Sequence, residues 1–340
     1  MKRVVTFGEI MLRLAPPNFQ RFIQTDSYQA IYGGGEANVA VSLSNYGLDS
    51  YFVTKVPDND LGQSAINQLR RYGVNTSYIK LAKERLGIYF LEYGASQRAS
   101  KVIYDRDNTA ISNIKPGDII WQEVLKDVDL FHFTGITPAL GEGAAAATLE
   151  ALKTAKKMGV TVSVDLNYRK KLWTPEKAGE VMGELLQYVD IVIGNEEDAE
   201  KVFGIKAAGS EISAGHLSDD GYKHVASELA KRFNLKHVAI TLRESYSASD
   251  NGWRAMLYNG EDYFFSKKYD VHIVDRVGGG DAFAGGLLYS LLEEYSPQYA
   301  IEFATAASCL KHTIHGDFNH VSLEEVKTLV NGDGSGRVQR

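Results

Sequence analysis

The sequence predicts an open α/β fold, a mostly parallel sheet flanked by helices, with a small second β-sheet set against it as a lid. Three observations carry this reading. Short β-rich runs alternate with segments of helical period, as in strands joined by crossover helices. Residues 12–31 and 87–112 break that alternation; in the second, Tyr89, Leu91 and Tyr93 recur with a period of two. Glycine triplets, Gly33-Gly34-Gly35 and Gly278-Gly279-Gly280, stand before two of the helical segments.

In chain order, residues 4–7 read as a buried strand, 37–46 as a helix, 51–56 as the next strand and 60–72 as a helix. From residue 130 the alternation is cleaner. Strand 130–133, alanine-rich helix 143–158, strand 160–165, helix 174–187, strand 191–194 and helix 196–203 follow one another. Helix 222–233 and strand 238–242 come next, then a hairpin-like stretch over 253–265. Helices at 282–294, 300–312 and 323–329 close the pattern. Residues 1–330 are expected to form one domain, with a lid from about 12–32 and 87–112 built of antiparallel strands, one face apolar and one polar. Residues 331–340 are polar and glycine-rich and read as a disordered tail.

Composition bounds the function. With 44% hydrophobic residues the chain can bury a full core, and a net charge of -6 argues against a nucleic-acid surface. Cys309 is the one cysteine, so no internal disulfide forms; in its apolar stretch it reads as a buried structural thiol. No signal-like segment and no run of roughly 18 apolar residues appears, which points to the cytoplasm and away from membranes. The eight histidines lack ligand spacing, so zinc is not expected.

The most informative segment is Asp275-Arg276-Val277-Gly278-Gly279-Gly280-Asp281-Ala282-Phe283. Glycines before a helix let backbone N–H groups turn inward, and the helix N-terminus adds its positive end, making an anion cradle. Asp281 at that entry has two readings, a helix cap or a base that takes a proton from an attacking hydroxyl. The residues leave both open. Gly33-Gly34-Gly35-Glu36-Ala37-Asn38 opens the other helix. Neither cluster has the Gly-Lys-Ser/Thr of a P-loop or the dinucleotide G-x-G-x-x-G.

Together the two clusters resemble the paired signatures of the ribokinase-like (PfkB) carbohydrate kinases, whose second signature reads Asp-Thr-x-Gly-Ala-Gly-Asp. Arg276 stands for the threonine and Gly279 for the alanine, while Asp281 is retained. The resemblance spans nearly the whole chain. It implies a ribokinase-like fold with a β-sheet lid, an ATP-dependent kinase, and Asp281 as general base with Gly278, Gly279 and Gly280 around the transferred phosphoryl group.

Within that family the sequence resembles the 2-keto-3-deoxygluconate kinases, through Glu36, Val102-Ile103-Tyr104-Asp105-Arg106, the run from Asp165 to Trp173, and His315-Gly316-Asp317-Phe318. The resemblance implies substrate contacts from Gly34, Tyr89, Tyr104, Arg106, Arg169 and Asp317; arginine suits a sugar acid because its planar fork matches a carboxylate. Each arginine also reads as a surface ion pair, each tyrosine as lid packing and Asp317 as a turn residue. Asn167, Asn195, Thr241 and Arg243, with Gly278 and Gly280, are implied to bind the nucleotide. Glu196 and Asp198 are implied to organise Mg2+ through water, against a reading as helix-start acids. At 241–245 the chain departs from the family, and Arg243 either contacts phosphate or pairs with Glu244. The expected reaction makes 2-keto-3-deoxy-6-phosphogluconate; a kinase of a neutral sugar such as fructose or ribose, or a non-catalytic sugar-acid-binding regulator, are the alternatives. A homo-oligomer formed through the lid is also expected.

Overall fold

The computed structural model describes residues 1–206, 219–332 and 334, apart from the Glu196 side chain. In chain order it runs β1 (Arg3–Phe7), β2 (Met11–Ala15), β3 (Gln29–Gly33), α1 (Gly35–Asn45), β4 (Asp49–Pro57), α2 (Asp60–Arg71), β5 (Ile79–Ala82), β6 (Gly87–Glu92) and β7 (Lys101–Asp105). Then come α3 (Trp121–Val124), β8 (Leu130–Thr134), α4 (Ile136–Ala139), α5 (Glu142–Met158), β9 (Thr161–Asp165), α6 (Pro175–Leu185), β10 (Ile191–Gly194), α7 (Glu196–Phe203) and α8 (Asp219–Phe233). The chain continues with β11 (His237–Ser245), β12 (Asp250–Tyr258), β13 (Tyr263–Phe265), β14 (Tyr269–His272), α9 (Gly279–Leu292), α10 (Pro297–Lys311) and α11 (Leu323–Val330).

The main sheet has the order β13-β12-β11-β10-β9-β8-β1-β4-β5, with β14 also on β12. Strands from β5 to β11 pair in parallel, and β12 turns the edge antiparallel. The inner strands are apolar along their length because helices cover both faces; all five residues of β8 are buried. On one face Phe7, Trp121, Phe131 and Phe133 pack under α5 and its neighbours; on the other, α9 and α10 pack with α1. Helix α9 is apolar all round, as a helix enclosed on every side must be.

The lid is a four-stranded sheet, β3-β2-β6-β7. Its outer pairs are antiparallel as expected, but β2 and β6 meet in parallel, because the chain crosses the main sheet between them. The outer face is mixed and not simply polar, with Lys101 and Asp105 exposed on it and Glu92 paired to Arg21 and Arg98. Leu12, Leu14, Ile88, Phe90 and Ile103 line the outer face, and the one charged residue of β2, Arg13, points inward and is fully buried. Periodicity thus placed the strands, while the outer face combines apolar residues with the charged ends of β7.

Helix α9 begins at Gly279, three residues before the expected start, which places Asp281 in its first turn. The short elements β5, α3, α4 and β14 carry too few residues to show a period and were not expected. Cys309 is partly buried beside Trp253, Val271 and Ile273, and burial pushes its thiol up to about 12. Of the expected tail, residues 333 and 335–340 lie outside the described residues. Among the described residues no helix is long and apolar enough to cross a membrane.

Candidate active site

The C-terminal ends of the parallel strands face the inner side of the lid across a cleft of about 710 Å3. Open α/β sheets place ligands at this end, where loops diverge and helix N-termini converge. At the floor lies the second glycine turn. Gly278, not Asp281, is the N-cap of α9, with φ of 82°. Any Cβ there would also stand 2.0 Å from the Asp317 carbonyl oxygen, so both conformation and space demand glycine. Gly280 faces open cleft, whereas Gly279 packs away from it against the His312 ring.

Asp281 is therefore not occupied as a cap, and its carboxylate faces the cleft. Asn38 Nδ2, from the helix that follows the first glycine cluster, donates to Asp281 Oδ2 at 2.6 Å. Burial pushes Asp281 up to about 6, helped by nearby Asp317 and Glu36 and opposed by the Asn38 bond and the Arg169 charge. A carboxylate tuned toward neutral pH and aimed into a cleft is suited to accept a proton.

Gly34, Tyr89, Tyr104, Arg106, Arg169 and Asp317 all line the same cleft. Their engagement differs. Arg106 is buried in an ion pair with Glu9, and its guanidinium lies 5.2 Å over the Tyr104 ring. Its surface-pair reading thus fails in location, since the partner is buried. Asp317 is no simple turn residue: Arg13 Nη1 donates to Oδ1 at 2.7 Å and the Tyr89 hydroxyl donates to Oδ2. Arg13 also reaches Asp275 at 2.6 Å. Arg169 is exposed and makes no ion pair with a described residue; its charge lowers Asp281, Asp198 and Asp165. Glu36, one of the residues that carry the resemblance, is buried: its Oε1 accepts from Thr134 N, Thr134 Oγ1 and Thr137 Oγ1 at 3.0, 2.8 and 2.6 Å.

At the other end Asn167, Asn195, Asp198, Thr241 and Arg243 line the cleft. Asn195 caps α7 in a capping box with Asp198, whose two oxygens accept from the Tyr168 and Asn195 amides at 3.1 and 3.3 Å. Asp198 thus holds the helix start and borders the cleft at once. Burial raises Asp198 to about 6 and pushes Asp165 well above its usual range, the second also by repulsion from Asp198 and Asp281. Crowded carboxylates held this way fit a divalent cation kept largely through water, though among the described residues no cluster of three forms a direct cage. The Glu196 side chain lies outside the described ones. Glu244 pairs with Lys268 at 2.6 Å, not with Arg243. Arg243 instead stands close enough to Arg276 to depress it, behind burial as the larger cause. Two guanidiniums sharing a cleft wall, neither in an ion pair with a described carboxylate, suit a polyphosphate.

Sequence reasoning missed Glu9, Arg13, Asn38, Asp165, Asp275 and Arg276. Asp165 and Arg276 had local signals, a strand end and the residue just before the turn. Asn38 and Asp275 lie within the two glycine segments, but their partners are more than 240 residues away, and Glu9 and Arg13, which act across more than 90 residues, show no local mark.

The chain is similar to known carbohydrate kinases along nearly its whole length. A solved 2-dehydro-3-deoxygluconokinase from Thermotoga maritima is 52% identical, with a TM-score of 0.94 over 98% of this chain and 100% of that one. A 2-dehydro-3-deoxygalactonokinase from Haloferax volcanii is 33% identical over 98% of both chains. A fructokinase with bound ATP from Xylella fastidiosa, 20% identical, shares the fold at a TM-score of 0.75 over 97% and 98%. Residues 1–322 match the pfkB family carbohydrate kinases, and the chain belongs to that family.

Proposed function

We propose that this carbohydrate kinase transfers the γ-phosphoryl group of ATP to the 6-hydroxyl of 2-keto-3-deoxygluconate, giving 2-keto-3-deoxy-6-phosphogluconate and ADP, with Asp281 as the base. The observation that carries this is the Asp281 carboxylate, left free by the Gly278 cap and held by Asn38 at the cleft floor. The substrate follows from the 52% identical relative and from Arg169, an exposed cation in the cleft with no described acid paired to it.

In this reading the sugar acid lies under Tyr89 and Tyr104, its carboxylate toward Arg169 and Arg106 and its terminal hydroxyl beside Asp281. Asp281 accepts the hydroxyl proton as the oxygen forms its bond to phosphorus and the bond to the departing ADP breaks. The amides around Gly278 and Gly280 hold charge on the transferred group. Arg243 and Arg276 hold the remaining phosphates, with Asn167, Asn195 and Thr241 along the nucleotide. Mg2+ supplies neutralisation of phosphate charge when bound, and Asp165 and Asp198 are the acids that would hold it through water. Lid closure keeps water from the phosphoryl group.

The 33% identical relative acts on the galacto isomer, so the assay compares kcat/KM for 2-keto-3-deoxygluconate, 2-keto-3-deoxygalactonate and fructose. Preference for the gluco acid is expected. Preference for the galacto acid would move the assignment to that isomer, and preference for fructose would remove the sugar-acid reading. The exposed apolar residues of the outer lid face, Ile103 at 53% among them, suit a second copy of the chain, and light scattering should give a dimer or larger.

A further inference from the structure

The mechanism leaves one buried cation unused. Lys311, at the C-terminal end of α10, is fully buried directly beneath the phosphate turn. A Cβ on Gly278 would stand 3.2 Å from its Cε. Among the described residues its Nζ makes one hydrogen bond, to the Ile314 carbonyl at 3.2 Å, and no carboxylate lies within ion-pair distance. A primary ammonium has three donors and is costly to bury, so its place under the turn calls for a reason.

Its surroundings give one. The last turn of α10 forms the platform on which the glycine turn rests. Ser308 Oγ donates to the Gly279 carbonyl at 2.7 Å, His312 packs under Gly279, and the His312 carbonyl accepts from the Val274 and Asp275 amides at 2.8 and 3.2 Å. The adjoining buried cluster holds two carboxylates, Asp275 and Asp317, and one other cation, Arg13. Burial lowers Lys311 from its usual range and Arg13 adds to that, while Asp275, Asp317 and Asp281 favour its charged form. With Lys311 the four buried charges balance two against two. Without it a net negative charge would sit beneath the place where the transferred phosphoryl group gathers its own.

We infer that Lys311 is a positioning residue for phosphoryl transfer: a built-in cation that holds the Gly278–Asp281 turn in place and balances Asp275 and Asp317 beneath it. It touches neither substrate. Its effect is transmitted through the turn, so it should be needed for turnover more than for binding the sugar acid. The inference rests on the turn being the phosphate site, and D281N, assayed in parallel, tests that separately: an active D281N would fail that reading whatever Lys311 does.

The test is K311M and K311Q, assayed for kcat and for both KM values, in ammonium chloride and in tetramethylammonium chloride at equal ionic strength. The expected result is a fall in kcat of roughly 10- to 100-fold, with the sugar-acid KM within about twofold. Ammonium, small enough for the vacated space, should restore part of kcat in K311M; the bulky tetramethylammonium should not. Normal kcat in a folded K311M would overturn the inference, as would a loss of kcat with no ammonium response in either variant. Should K311M fail to fold, K311Q, which keeps a donor for the Ile314 carbonyl, carries the test. Failure of both to fold even with ammonium would assign Lys311 to stability alone and overturn the positioning role.

Discussion

In the proposed reaction Asp281, bound by Asn38, is the base, and their chemistry would set its pH dependence. A base must be ionised to act, and Asp281 is raised to about 6. Turnover should therefore hold above that pH and fall as pH drops through it. The Asn38 bond favours the ionised form, so N38L should move the acid limb upward. A pH–kcat profile unmoved in N38L would assign the limb to another group, such as Asp198, which is also raised to about 6. D281N should lose at least ~100-fold in kcat. It should also melt at a higher temperature than the native chain. A carboxyl with a raised pKa in the folded state favours folding at low pH and loses that contribution as pH rises through about 6, so at neutral pH its ionisation opposes folding. Equal or lower melting in D281N would contradict that sign.

At the scale of elements, the glycine turn is three positions with different constraints. Gly278 needs φ of 82° and has the Asp317 carbonyl 2.0 Å from any added Cβ. G278A should cost at least about 1–2 kcal/mol of stability from the left-handed backbone alone, together with activity. Gly280 has nothing within 4 Å of an added Cβ. G280A should unfold at nearly the native denaturant midpoint, yet lose turnover if its methyl enters the space that the proposed reaction gives the phosphoryl group. Urea unfolding and kcat on the two variants separate conformation from occupancy. Equal stability losses would show that the turn acts as one rigid unit instead.

For the whole molecule, the lid is tied to the main sheet by charge as well as by packing. Arg13 on β2 binds Asp275 before the turn and Asp317 after α10, and all three are buried. Removing one member of such a network strands the others, which typically costs about 3–5 kcal/mol. R13M should show a loss of that order in urea unfolding, far beyond the small effect of breaking the exposed Lys177–Glu180 pair. A loss below about 1 kcal/mol would mean that Asp275 and Asp317 find protons or other partners.

Much of this protein was legible from local pattern. Strand and helix alternation determined the α/β class and most elements of the main sheet, since apolar runs and helical period follow directly from burial on two faces or one. The glycine triplets marked both ends of the cleft floor, because only glycine tolerates the turn at Gly278. Tertiary structure alone decided what the charged residues do. Whether Asp281 caps a helix depended on which residue the helix began at, and the answer was Gly278. The protein partners of Arg106, Asp317 and Glu36 are Glu9, Arg13, Tyr89, Thr134 and Thr137, residues far away in sequence. Burial energy is written into local composition, whereas a charge acquires its role from partners that only the folded chain brings within reach.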